Sequence, residues 1–158
     1  MDILTKRGRE TLDQVTDAIN IWRRNLPTIQ YIHTPADRPA DFDGILVHNG
    51  RAAGIAEIKC RVSMSFDQFM GRYNAEWLVT FDKITRCMRA ADAMQVPFLG
   101  MLYFPGQRIL LYQSIYDPVD GLRTSMRVER SRTQATVNGG KIDRDNAYID
   151  MSNAKRMQ

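Results

Sequence analysis

Three side chains offer this sequence its chemistry: Asp43, Glu57 and Lys59. Asp43 stands at the head of the apolar run Gly44-Ile45-Leu46-Val47, and Glu57-Ile58-Lys59 closes a second run. Alternation along a strand points Glu57 and Lys59 to one face and Ile58 and Cys60 to the other. The charged pair then sits in a cleft while its neighbours enter the core. Two carboxylates and an ammonium gathered at one point suit a divalent metal and an activated water. That combination serves hydrolysis of a phosphodiester.

The acids must be brought together by the elements that carry them. Strands are predicted over about Phe42–Val47 and Ala53–Cys60, and Asn49-Gly50 between them is a tight-turn signal, so they form an antiparallel hairpin. Asp43 and Glu57 lie at similar distances from that turn and meet across the ladder. Before the hairpin, Leu12, Val15, Ile19 and Trp22 make one apolar stripe of a helix from about Thr5 to Arg24, ended by Pro27. A short strand follows at Ile29–His33, then a loop bracketed by Pro35 and Pro39. After the hairpin, residues from Phe66 to Ala91 step by three or four, which predicts a long helix, or two abutting ones, over about Phe66–Met94. Tyr73 belongs to that stripe. Gly71 is its weak point. Strands at Phe98–Phe104 and Ile109–Gln113 turn at Pro105-Gly106-Gln107. Beyond Asp117 the pattern gives a basic stretch from Arg123 to Arg132, a second hairpin about Asn138-Gly139-Gly140 with Tyr148 in its return strand, and a frayed tail from Ser152.

Composition narrows the class. At 158 residues the chain supports one domain with a sizeable core. No apolar run is long enough to span a bilayer, and the amino terminus lacks the apolar stretch of a signal peptide, so a cytoplasmic, non-membrane protein is expected. Cys60 and Cys87 are the only cysteines and have no ligand-spaced companions, which argues against zinc or a disulfide framework. Cys60 reads as a small buried hydrophobe behind the acids. His33 and His48 read as ordinary loop or core histidines. A net charge of +4 permits nucleic-acid binding without requiring it.

The order helix, strand, hairpin, long helix, strand, strand, with Asp43 and Glu57-Ile58-Lys59 in place, resembles the PD-(D/E)XK nuclease superfamily. The resemblance covers residues 1–115 and implies an α/β fold: a mixed central β-sheet flanked by helices, the restriction-endonuclease-like αβββαβ core. Residues 116–158 then form an extension packed on the same domain. By the same resemblance Asp43, Glu57 and the carbonyl of Ile58 hold Mg²⁺ or Mn²⁺, and Lys59 positions or helps deprotonate the attacking water and stabilises the charge that develops. Asp41, two residues earlier on the same face, is a second candidate for the ligand, and Pro39 is four residues from Asp43 rather than adjacent.

Some members add an acid from the first helix. Glu10, following Gly8-Arg9, resembles that position, but it lies off the apolar stripe, where a solvated charge is also expected. Gln68 and Tyr73 fall near a glutamine–tyrosine pair of the recombination exonucleases, at a spacing of five rather than four, and packing explains Tyr73 better. Arg61, Arg72, Arg123 and Arg127 are candidates for backbone phosphates. Lys83, Arg86 and Arg89 read as a solvated helix face. The resemblance implies a metal-dependent deoxyribonuclease acting on duplex or branched DNA, as a homodimer or beside a helicase or recombinase. An inactive nuclease-like module for binding or assembly, and an α/β protein unrelated to nucleic acid, are the other readings these residues admit.

Overall fold

The computed structural model describes residues 6–35, 40–134 and 141–158. The first half contains α1 (Lys6–Asn25), β1 (Ile29–His33), β2 (Gly44–His48), β3 (Arg51–Cys60), α2 (Phe66–Gly71), β4 (Glu76–Thr80) and α3 (Phe81–Met94). The second contains β5 (Phe98–Phe104), β6 (Ile109–Asp117), β7 (Gly121–Leu122), β8 (Met126–Gln134), β9 (Lys141–Asp150) and β10 (Lys155–Met157). The main sheet runs β1-β2-β3-β5-β6-β10, with β7 added beside β6, and a second sheet runs β4-β9-β8. In the main sheet β3 and β5 are parallel while the flanking pairs are antiparallel. This is the mixed central sheet flanked by helices that the sequence predicts.

The β2–β3 hairpin follows from its turn. Asn49 and Gly50 both take positive φ, 50° and 75°, the pair that a two-residue turn matched to strand twist requires. Alternation then sorts the main sheet into two faces. On one, Ala56, Ile58, Met101 and Tyr103 meet Val15, Ala18, Ile19 and Trp22 of α1. On the other, Ile55, Phe98, Leu102 and Phe104 meet Ile84, Cys87 and Ala91 of α3 and Trp77, Ala147 and Ile149 of the second sheet. Tyr103 reaches back to α1, where its hydroxyl donates to Asp17, and Arg108 donates to the same carboxylate at 2.9 Å.

Two expectations are corrected. The predicted long helix is α2 and α3 with β4 between them. Asn74 and Ala75 adopt left-handed φ of 52° and 55°, which breaks the helix, and Glu76-Trp77-Leu78-Val79-Thr80 then pairs with Asp150 through Asn146 of β9. Tyr73, assigned to the packed stripe, sits in that break and is 44% exposed. The predicted frayed tail is β10, paired antiparallel to β6, and Met157 is buried against the α1 face. β8 and β9 form the second antiparallel pair, with Tyr148 in β9. The Asn138-Gly139-Gly140 turn and Pro39 lie outside the described residues.

Candidate active site

β3 outruns β2, and the site forms where it does. Gly44 pairs with Ala56, and the Asp43 N–H donates to the Ala56 carbonyl at 2.9 Å. Thr34 donates to the Asp43 carbonyl through its N–H and its hydroxyl, so the chain before Asp43 is tied to the end of β1. Odd-numbered residues of β3 serve β5: Ile55 and its successor Arg61 donate to Pro97 and Tyr103. Even-numbered ones face β2, and at Ile58 there is no β2 backbone to meet. Asp43 fills the gap, its Oδ2 accepting the Ile58 N–H at 2.9 Å. Because both polar groups of a strand residue point to one edge, the Ile58 carbonyl lies on the same side as Asp43.

Glu57 projects from β3 to the α3 face and is 7% exposed. Burial, reinforced by the negative charge of Asp43 and only partly offset by Lys83, pushes its carboxyl up to about 8. Lys83, on the first turn of α3, brings Nζ within 3.0 Å of Glu57 Oε2 and 3.9 Å of Asp43 Oδ1. The same ammonium donates to the Ala40 carbonyl at 3.3 Å. Burial opposes the Lys83 charge, but Glu57 and Asp43 outweigh it and hold the ammonium above the ordinary lysine value. The loop before β2 is pinned to α3 twice more, by Cys87 Sγ donating to the Asp41 carbonyl at 3.2 Å and by Arg86 beside the Asp41 carboxylate at 3.6 Å.

The sequence reading placed Lys83 on a solvated helix face, and the structure overturns that. Its neighbours Ile84 and Cys87 turn into the core, so Lys83 is carried over the sheet onto Glu57. Its position depends on β4 ending at Thr80, which the helical pattern concealed. Lys59 follows Glu57 on the same face but is exposed; among the described residues it makes no ion pair. The structure brings together Asp43, Glu57, the Ile58 backbone and Lys83, with Lys59 at the solvent side. Asp41 is engaged by Arg86 instead. Glu10 is exposed near the start of α1, a helix packed on the opposite face of the sheet.

The basic candidates are dispersed. Arg61 donates to the Leu78 carbonyl at 3.0 Å, Arg72 stacks by Tyr73 at the end of α2, and Arg123 pairs with Asp120. Arg127 binds both oxygens of Glu76 at 2.8 Å and lies over the Tyr148 ring. Arg130 and Arg132 face Asp145 and Asp143 across the β8–β9 ladder. Much of the basic stretch is therefore balanced by neighbouring acids. Gln68 is the reciprocal partner of Ser65 in the capping box of α2. A cleft of about 520 Å³ on the α1 face, lined by Trp22, Leu46, Leu99 and Tyr112 among others, holds no carboxylate and suits this chemistry less than the acid pair does.

A divalent cation fits the residues present. Glu57 Oε2 is buried, and the contact it makes is the ion pair to Lys83 at 3.0 Å. Among the described residues no three His, Cys, Asp or Glu side chains converge. The donor set is two carboxylates and a strand carbonyl, which suits an ion such as Mg²⁺ that keeps several waters and takes substrate oxygens.

No family model matches the chain, and no curated protein matches it. Among solved structures, it is similar to Hjc, a Holliday junction resolvase from the archaeal hyperthermophile Archaeoglobus fulgidus. The TM-score is 0.44 and the identity 10%, over 85% of this chain and 93% of that one. At those values neither activity nor site residues are carried from Hjc to this chain.

Proposed function

We propose that this protein is a divalent-metal-dependent deoxyribonuclease that hydrolyses phosphodiester bonds in duplex or branched DNA. One observation carries the reading: a buried Glu57 beside Asp43 where β3 outruns β2, with the Ile58 backbone held at the same point. Burying a carboxylate beside a second one is costly unless something positive is meant to join them. Asp43, Glu57 and the Ile58 carbonyl would hold Mg²⁺ or Mn²⁺. Such an ion supplies Lewis-acid polarisation of the phosphate and a more acidic bound water. Lys59, exposed beside Glu57, donates to charge developing on the phosphate oxygens as water bonds to phosphorus and the ester oxygen departs with a proton. Arg72, exposed at the end of α2, is available to a backbone phosphate. Action as a dimer or beside a helicase or recombinase belongs to the same proposal.

The test is cleavage of labelled linear, nicked-circular and four-way-junction DNA in Mg²⁺, Mn²⁺ or EDTA. We expect metal-dependent cleavage that Glu57→Gln abolishes and Lys59→Ala lowers by about 10²-fold or more. Because Lys59 is exposed, its substitution should leave the melting temperature nearly unchanged. Cleavage that survives both substitutions sinks the assignment.

A second reading has its own observation: Lys83 already contacts both acids, as in a structural ion-pair cluster. A catalytically inactive DNA-binding or assembly module would bind DNA equally in EDTA and cut nothing.

A further inference from the structure

We propose that Lys83 is an internal stand-in for the cation: its ammonium closes the metal-free site and leaves both carboxylates when a divalent ion enters. The inference rests on the metal-site reading above and adds a moving part to it. Lys83 Nζ contacts one oxygen from each acid, Glu57 Oε2 at 3.0 Å and Asp43 Oδ1 at 3.9 Å, which are the groups a hard cation would take. The Glu57 and Lys83 side chains are only 9% and 18% exposed and Asp43 is 38% exposed, so the Glu57–Lys83 contact is the one that water screens poorly.

The ammonium cannot share that place with a divalent ion, because like charges so close repel strongly where screening is weak. Lys83 can leave at low cost. Its third contact is a single carbonyl, Ala40, at 3.3 Å, and its four-carbon stem lets the charged head travel while the apolar part stays packed. Arg86 does not take over, being held by Asp41 and Asp82. Lys59 is exposed and serves as an internal control.

The experiment is amine acetylation of the full chain, quantified lysine by lysine by peptide mass spectrometry, in EDTA and in Ca²⁺. Thermal shift run in parallel reports whether Ca²⁺ binds, since a ligand of the native state raises the melting temperature. We expect Lys83 to be protected in EDTA and to gain reactivity several-fold in Ca²⁺, with Lys59 reactive in both. A Ca²⁺-induced rise in melting temperature with Lys83 still protected overturns the inference and leaves the metal site standing. No thermal response to Ca²⁺, Mg²⁺ or Mn²⁺ overturns the metal-site reading itself, and this inference with it. Glu57→Ala, which removes the Oε2 contact outright, gives the second arm: Lys83 should then acetylate readily in EDTA. Continued protection in that variant means packing rather than the ion pair shields the lysine, which also overturns the inference.

Discussion

The Glu57 carboxyl makes the stability of the metal-free protein depend on pH in a direction opposite to that of most acids. Its folded value stands near 8 against an ordinary 4.5. Between those values the folded chain keeps a proton that the unfolded chain has released, so stability falls as pH rises through the window. Lys83 stays charged throughout, its ammonium being lost only above the ordinary lysine value of 10.5. We expect the melting temperature in EDTA to decline from about pH 5 to about pH 8 and Glu57→Gln to flatten that decline. A wild-type profile as flat as the variant's would show that Glu57 is not the group responsible. The acids themselves were legible in the sequence because they lie on a local hairpin, where alternation and an Asn-Gly turn fix who faces whom. Lys83 was not legible, because its partners are set by the packing of a distant helix.

At the scale of elements, β4 decides the geometry of the α3 side. Trp77 is fully buried, and its ring lies so close over Gly100 that a Cβ there would come within 2.3 Å of it. The strand is therefore held against β5 through Trp77 and hands the chain directly to α3 at Phe81. Trp77→Ala should cost about 3–5 kcal/mol in urea unfolding. A loss well under that range would mean β4 is held chiefly by its ladder to β9. The sequence concealed this strand for a physical reason. Trp77, Phe81, Ile84 and Met88 keep helical spacing across the boundary, while the partner that makes residues 76–80 extended lies in β9, about seventy residues on. Local periodicity does not register a pairing at that separation.

For the molecule as a whole, the carboxy-terminal segment completes the main sheet. Lys155–Met157 pair with Leu110–Tyr112, Met157 is buried on the α1 face, and the Asn25 side chain donates to the Gln158 carbonyl at 3.2 Å. Removing residues 155–158 should destabilise the fold by about 2 kcal/mol, from the exposed Met157 side chain and the uncovered edge of β6. Denaturant unfolding of the truncated chain checks this, and an unchanged midpoint would assign the tail no role. The mixed sheet and its flanking helices were foreseeable from runs and turns; the return of the last residues to the edge was not. Three residues with two basic side chains carry too little pattern to mark a strand, and only the exposed edge of β6 makes them one.

The Ile58 amide gives the protein a spectroscopic handle on its own site. Its hydrogen is held by the Asp43 carboxylate where a neighbouring strand would ordinarily supply a carbonyl. A change in the charge or direction of that carboxylate should therefore register in the resonance of this one amide, while Ile55, bonded to a backbone carbonyl, stays still. In a ¹⁵N–¹H titration with Mg²⁺, movement of Ile58 without Ile55 would mark engagement of Asp43 in solution, with no substrate present. Equal movement of both would instead signal a shift of β3 as a unit.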